Sequence, residues 1–88
     1  MRKDTVEIYS DQTNAAVMRH PNRAFPGVLL QGDTLFSLCE LSNLVCREIG
    51  RSSPGFDDAN ELHDVLRSYL DHYKTVLVQH DIGLPFSE

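Results

Sequence analysis

The chain has 88 residues, 41% of them apolar, and its 13 acidic against 8 basic side chains leave a formal charge of −5. That length supports one small hydrophobic core, the apolar content excludes a disordered chain, and the negative charge disfavours nucleic acid, whose phosphates require a positive field. No run approaches the roughly 18 consecutive apolar residues of a membrane span.

Residues Thr5 to Ser10 alternate, with Val6 and Ile8 on one side and Glu7 and Tyr9 on the other. That period of two, rich in β-branched and aromatic side chains, predicts a half-buried strand. Asp11 to Asn14 is a cluster of turn formers that reverses the chain. Ala15 to His20 fits a second strand or one helical turn; its brevity and Pro21, which biases His20 toward extended backbone, favour the strand. Val28 to Gln31, entered through Pro26-Gly27, predicts a third. Both of its faces are apolar, which points to a central or doubly covered position.

Asp33 or Thr34 is suited to cap a first helix that ends at Gly50. Its apolar residues Leu35, Phe36, Leu38, Cys39, Leu41, Leu44, Val45, Cys46 and Ile49 cover most of its circumference, so the helix is expected to be buried. Arg51 to Gly55 is a loop. Asp58 and Glu61 have capping-box spacing at the head of a second helix. Leu62, Leu66, Tyr69, Tyr73, Val76 and His80 then follow at spacings of three and four, flanked by Val65, Leu70 and Leu77, and Gly83 is placed to close the helix. Leu84, Pro85 and Phe86 form a short apolar tail expected to fold back. The predicted fold is a single α+β domain over residues 1–88: a three-stranded antiparallel β-meander, then two helices packed on one face of the sheet.

Charge divides unevenly. Residues 1–23 hold four basic and three acidic side chains, whereas residues 24–88 hold four and ten. Cys39 and Cys46 stand seven apart, about 10 Å along a helix and too far for a disulfide, so they read as small buried hydrophobes. The four histidines lack metal-ligand spacing: there is no His-x3-His, no His-Glu-x-x-His and no Cys-x-x-Cys. No metal, cofactor or catalytic residue is assigned. Met1-Arg2-Lys3-Asp4 leads into an alternating segment and not an apolar leader, so reduced cytoplasm is the expected compartment.

One segment stands apart. Met18 to Gly27 places Arg19, His20 and Arg23 within five residues, stiffened by Pro21 and Pro26, in a chain otherwise acidic. A rigid loop presenting guanidinium groups suits recognition of a carboxylate or phosphate. In the plainer reading it is a strand connection whose arginines pair with helix carboxylates while Phe25 plugs the core.

The run from Ala16 to Asp33, followed by an apolar helix, resembles a family of small bacterial proteins of unknown function and about this length. The resemblance rests on an Arg-x-Phe-Pro-Gly core and a following Gln-Gly-Asp, matched by Arg23, Phe25, Pro26, Gly27, Gln31, Gly32 and Asp33. It implies a fold and no chemistry. The candidate binding residues, taken from the basic loop and the segment that follows it, are Arg19, His20, Arg23, Phe25, Gln31 and Asp33.

The second helix, about 24 residues and about 36 Å long, exceeds what a small sheet covers. Its Tyr69, Tyr73, Val76 and His80 are candidates for a homodimer seam. Two classes of function follow. The first is a non-enzymatic accessory or immunity-like protein that binds a protein partner; the second is a small-anion binder or minor enzyme built on Arg19 to Arg23. The first is favoured, because small acidic domains without a chemical motif are more often binders than catalysts.

Overall fold

The computed structural model describes residues 1–88. Strands β1 (Glu7–Ser10), β2 (Ala16–Arg19) and β3 (Gly27–Leu29) precede helices α1 (Gly32–Ile49) and α2 (Phe56–Gln79), an α+β architecture in the order read from the sequence. The chain forms two compact units, Met1–Gln31 and Gly32–Glu88.

In the first unit the strands pair antiparallel in the order β1-β2-β3. Consecutive hairpins put β2 at the centre and β3 at an edge, so the central or covered place inferred from the apolar Val28-Leu29-Leu30 run is corrected. Periodicity cannot distinguish a central strand from an apolar edge, and all three side chains are exposed. β1 and β2 are matched at Glu7–Arg19 and Ile8–Met18, after which Ser10 faces Val17. Tyr9 is thus the extra residue of a β-bulge, which bends and twists that edge. On β3, Leu29 faces Ala16, Val28 faces Val17 and Gly27 faces Met18.

In the second unit, Gly32 lies against Tyr73 and Ser42 against His63. Ten residues forward on α1 are ten residues back on α2, so the helices form an antiparallel hairpin. Its centre is small: Cys39 and Leu70 are each 3% exposed, with Cys46, Ser42 and Gly32 also buried. Both cysteines are free thiols.

Three expectations about the helices are corrected. α1 is not buried nearly all round, since Leu38, Leu41, Leu44 and Val45 are exposed; one packed helix covers only one stripe of another. α2 begins at Phe56, before the supposed capping box. Its N-cap is Gly55 at φ 87°, with no side-chain cap, and Asp57 and Asp58 occupy the first turn, where they complement the helix dipole. The side chains of α2 that are shielded run through Phe56, Ala59, His63, Leu66, Leu70, Tyr73 and Leu77. That stripe is rotated by roughly 70° from the one read in the sequence, at 100° per residue, the two sharing Leu66 and Tyr73. Leu62 and Tyr69 consequently lie exposed.

Gly50, at φ 81°, ends α1 and donates to the Cys46 carbonyl at 3.2 Å, as the sequence led one to expect. The end of α2 differs: Asp81, not Gly83, takes the left-handed conformation, at φ 56°. Its amide donates to the Val78 carbonyl (3.2 Å), and the Ile82 amide reaches back to the Leu77 carbonyl (2.9 Å). These two bonds make a Schellman motif. The tail does fold back. Phe86 stacks on Phe36 with ring centroids 4.4 Å apart, and Glu88 accepts a 2.6 Å hydrogen bond from Lys74.

Candidate functional site

The register of the sheet decides what the basic segment presents. Glu7 and Arg19 stand directly opposite each other, so their side chains share a face and form an ion pair. The Tyr9 hydroxyl adds a 3.3 Å hydrogen bond to Glu7. The Arg19 guanidinium also donates to the Arg23 carbonyl at 3.3 Å. Its pKa is raised, first through the hydrogen bond to Glu7 and then through that carboxylate's charge. The arginine is paired, but with a strand carboxylate and not with one on the helices.

Successive side chains on a strand alternate between faces, so Met18 and His20 fall on the side opposite to Arg19. There they line a concavity of about 510 Å³ with Val6, Arg23, Ala24, Phe25, Gly27, Val28 and Leu29. The loop that closes it is held by its own backbone: the Arg23 amide donates to the His20 carbonyl at 3.0 Å. The Asn22 amide donates to His20 Nδ1 at 3.2 Å. With Nδ1 accepting, a neutral His20 carries its proton on Nε2. Phe25 is 81% exposed and does not plug a core, which corrects the plainer reading of the loop. A short loop between two hairpin-paired strands leaves it at the lip.

Of the six candidate binding residues, His20, Arg23 and Phe25 come together around this concavity. Arg19 faces away toward Glu7, and Gln31 is exposed just beyond β3. Asp33 lies in the first turn of α1, where its carboxylate accepts from the Thr34 amide at 2.9 Å. The site is thus an apolar hollow with one cationic side chain and one imidazole at its rim. It suits an apolar group that has an acceptor beside it.

Of the seam candidates on α2, Tyr69 is exposed and Val76 half-buried, while Tyr73 is turned inward over Gly32. The His80 ring is engaged with the Val76 carbonyl at 2.9 Å, at the end of the helix.

A serine–histidine pair that the spacing did not reveal lies in the helical unit. Ser42 Oγ is 2.8 Å from His63 Nδ1 and donates its hydrogen to the Cys39 carbonyl at 2.7 Å. The hydroxyl proton being spent there, His63 donates to the serine and does not act as its base. With Ser42 buried, the pair is a structural link and not a nucleophile. Its only sequence signal is that both residues fall on packed helix faces. Elsewhere, no group of three His, Cys, Asp or Glu side chains is placed to hold a metal ion. Burial raises the pKa of the Cys39 thiol above its ordinary value. No helix is long and apolar enough to cross a membrane.

The fold is that of a small α+β protein in which a three-stranded meander precedes a helical hairpin. Residues 1–86 match the model of a family described as "Family of unknown function (DUF6959)", and the chain belongs to that family. The resemblance drawn from Arg23 to Asp33 is thereby borne out. No curated protein and no solved structure matches the chain.

Proposed function

We propose that the chain is a non-enzymatic interaction protein, an accessory or immunity-like protein of the bacterial cytoplasm, which engages a protein partner through the concavity of the sheet. The observation that carries this reading is Phe25, a large aromatic side chain exposed at the lip of an apolar hollow. Exposed aromatic and arginine side chains are the residue types most enriched where protein contacts carry binding energy. Arg23 and His20 at the rim give the hollow a preference for an apolar side chain flanked by a carboxylate. Affinity capture from the host with the wild-type chain and with Phe25→Ser/Arg23→Ser tests it. A stoichiometric partner retained by the first and lost by the second supports the reading; equal recovery on both refutes it.

A second reading, a small-anion binder or minor enzyme built on Arg19 to Arg23, draws on one observation: Arg23 makes no ion pair within the chain. The engagement of Arg19 by Glu7 weighs against it. Thermal stabilisation by a panel of phosphates and carboxylates, abolished by Arg19→Ala with Arg23→Ala, would favour it over the first. No stabilisation across the panel would remove it.

A further inference from the structure

The helical hairpin carries an apolar face that its own packing does not use. On α1, Leu38, Leu41 and Val45 lie about 125° around the helix from Cys39, at the centre of the packed stripe. On α2, Leu62, Val65 and Tyr69 lie about 105° from Leu70, in the same rotational sense. Because the helices run antiparallel, rotations of like sense bring both sets to the same side of the hairpin. The six side chains are between 37% and 60% exposed. Along the middle of this face no Asp, Glu, Lys or Arg intervenes; its charge is confined to the end beside the connection between the helices, where Glu48 follows Val45 by three residues and Asp58 precedes Leu62 by four. Glu40, Arg47, Asp64, Arg67, Asp71 and Lys74 lie toward the opposite side of the hairpin.

We infer that a second copy of this chain covers the face, the two hairpins joining across a two-fold axis into a four-helix bundle. Three considerations select a second copy. First, the six side chains offer roughly 500 Å² per copy, near the upper end of the patches monomers carry. Two such patches together reach about 1,000 Å², the size at which an interface becomes specific, and the flanking half-buried residues add to it. Second, a two-fold axis perpendicular to the hairpin sets the end that carries Glu48 and Asp58 against the uncharged end of the other copy, so the face meets itself without like-charge repulsion, as an isologous contact requires. Third, the hairpin buries only Cys39, Cys46 and Leu70 as core hydrophobes and no large side chain completely. A bundle of four such helices gains the layered interior that one hairpin lacks.

This surface is distinct from the concavity of the sheet, so the two readings stand or fall separately. Sedimentation equilibrium on the full chain, from about 1 µM to about 1 mM, is the test. The expected mass is twice the 10.0 kDa of the chain. Leu41→Glu and Val65→Glu, one on each helix, are each expected to raise the dissociation constant at least about tenfold while the helical circular dichroism is retained. Should either variant fail to fold, the melting temperature of the wild type decides instead, since a dimer melts higher as concentration rises. A monomer at the highest concentration overturns the proposal. So does a dimer untouched by both folded substitutions, or a melting temperature independent of concentration.

Discussion

The ring of Tyr73 on α2 lies over Gly32 at the start of α1, so close that a β-carbon at Gly32 would collide with Cζ and Oη of the ring. The backbone of Gly32 is not left-handed; only Gly50 and Gly55 are so among the glycines. The glycine of the Gln31-Gly32-Asp33 motif is therefore a matter of space, allowing an aromatic ring to seat the head of one helix on the other. Gly32→Ala should cost about 1–2 kcal/mol, as overpacking outweighs the gain in helix propensity. In a Tyr73→Ala background the same change should become neutral or stabilising. Urea unfolding of the four members of this cycle measures the coupling, and additive effects would refute the steric account.

The bond between His63 and Ser42 joins the helices near their middle. Ser42→Ala removes the acceptor for His63 Nδ1 in a half-buried place and leaves that donor unsatisfied. A loss of about 1–2 kcal/mol is expected, seen as a fall of roughly 5–15 °C in melting temperature for a chain of this size. A variant that melts with the wild type would show that water replaces the serine at no cost.

What the sequence made legible was what local pattern determines. Alternation at Val6 to Tyr9, the turn formers at Asp11 to Asn14 and Gly50 after an apolar run each carry a local signal, and each element stands close to its expected place. The phase of α2 is not legible in its spacing, for a physical reason. Leu62, Leu66, Tyr69, Tyr73 and Val76 form a real apolar stripe, but α2 is apolar over more of its circumference than one neighbouring helix covers. Spacing cannot say which half of such an arc packs. The basic segment is ambiguous in a similar way. Arg19 and His20 are adjacent in sequence, and a strand sends adjacent side chains to opposite faces. Their grouping with Arg23 could be resolved only by the pairing of Glu7 with Arg19.

Cys39 offers a pH-dependent test of the small core. Removal from water raises its thiol pKa, with smaller opposing influence from Arg67 and reinforcement from Glu40 and Asp71. In the unfolded chain a thiol ionises near pH 8.5. Between that value and the higher folded value, the native state holds a proton that the unfolded state has released. Stability therefore falls as pH rises through this window and is full below it. Denaturation midpoints from pH 7 to pH 10 should decline in the wild type and decline less in Cys39→Ala. Identical slopes would sink the assignment. At neutral pH, a thiol reagent should modify Cys39 far more slowly in the native chain than in the unfolded one.

Asp81 closes α2 in a conformation that favours glycine, and it sets a negative charge beside the negative end of the helix dipole. The last turn of α2 holds no basic residue to offset that charge. Two separable costs follow: left-handed backbone in a residue with a β-carbon, and an unfavourable charge–dipole interaction. Asp81→Asn removes only the charge and should stabilise by about 0.3–1 kcal/mol. Asp81→Gly removes both and should gain about 1 kcal/mol, part of the relief being offset by the freedom of glycine in the unfolded chain. Asp81→Ala keeps the backbone cost and loses the polar side chain that eases it, so it should fall below Asp81→Asn. Chemical denaturation of the three variants orders them as Gly, Asn, Ala from most to least stable. An Ala variant equal to Gly would mean that Asp81 adopts its left-handed angle without strain, leaving the carboxylate charge as the only cost of aspartate at this position.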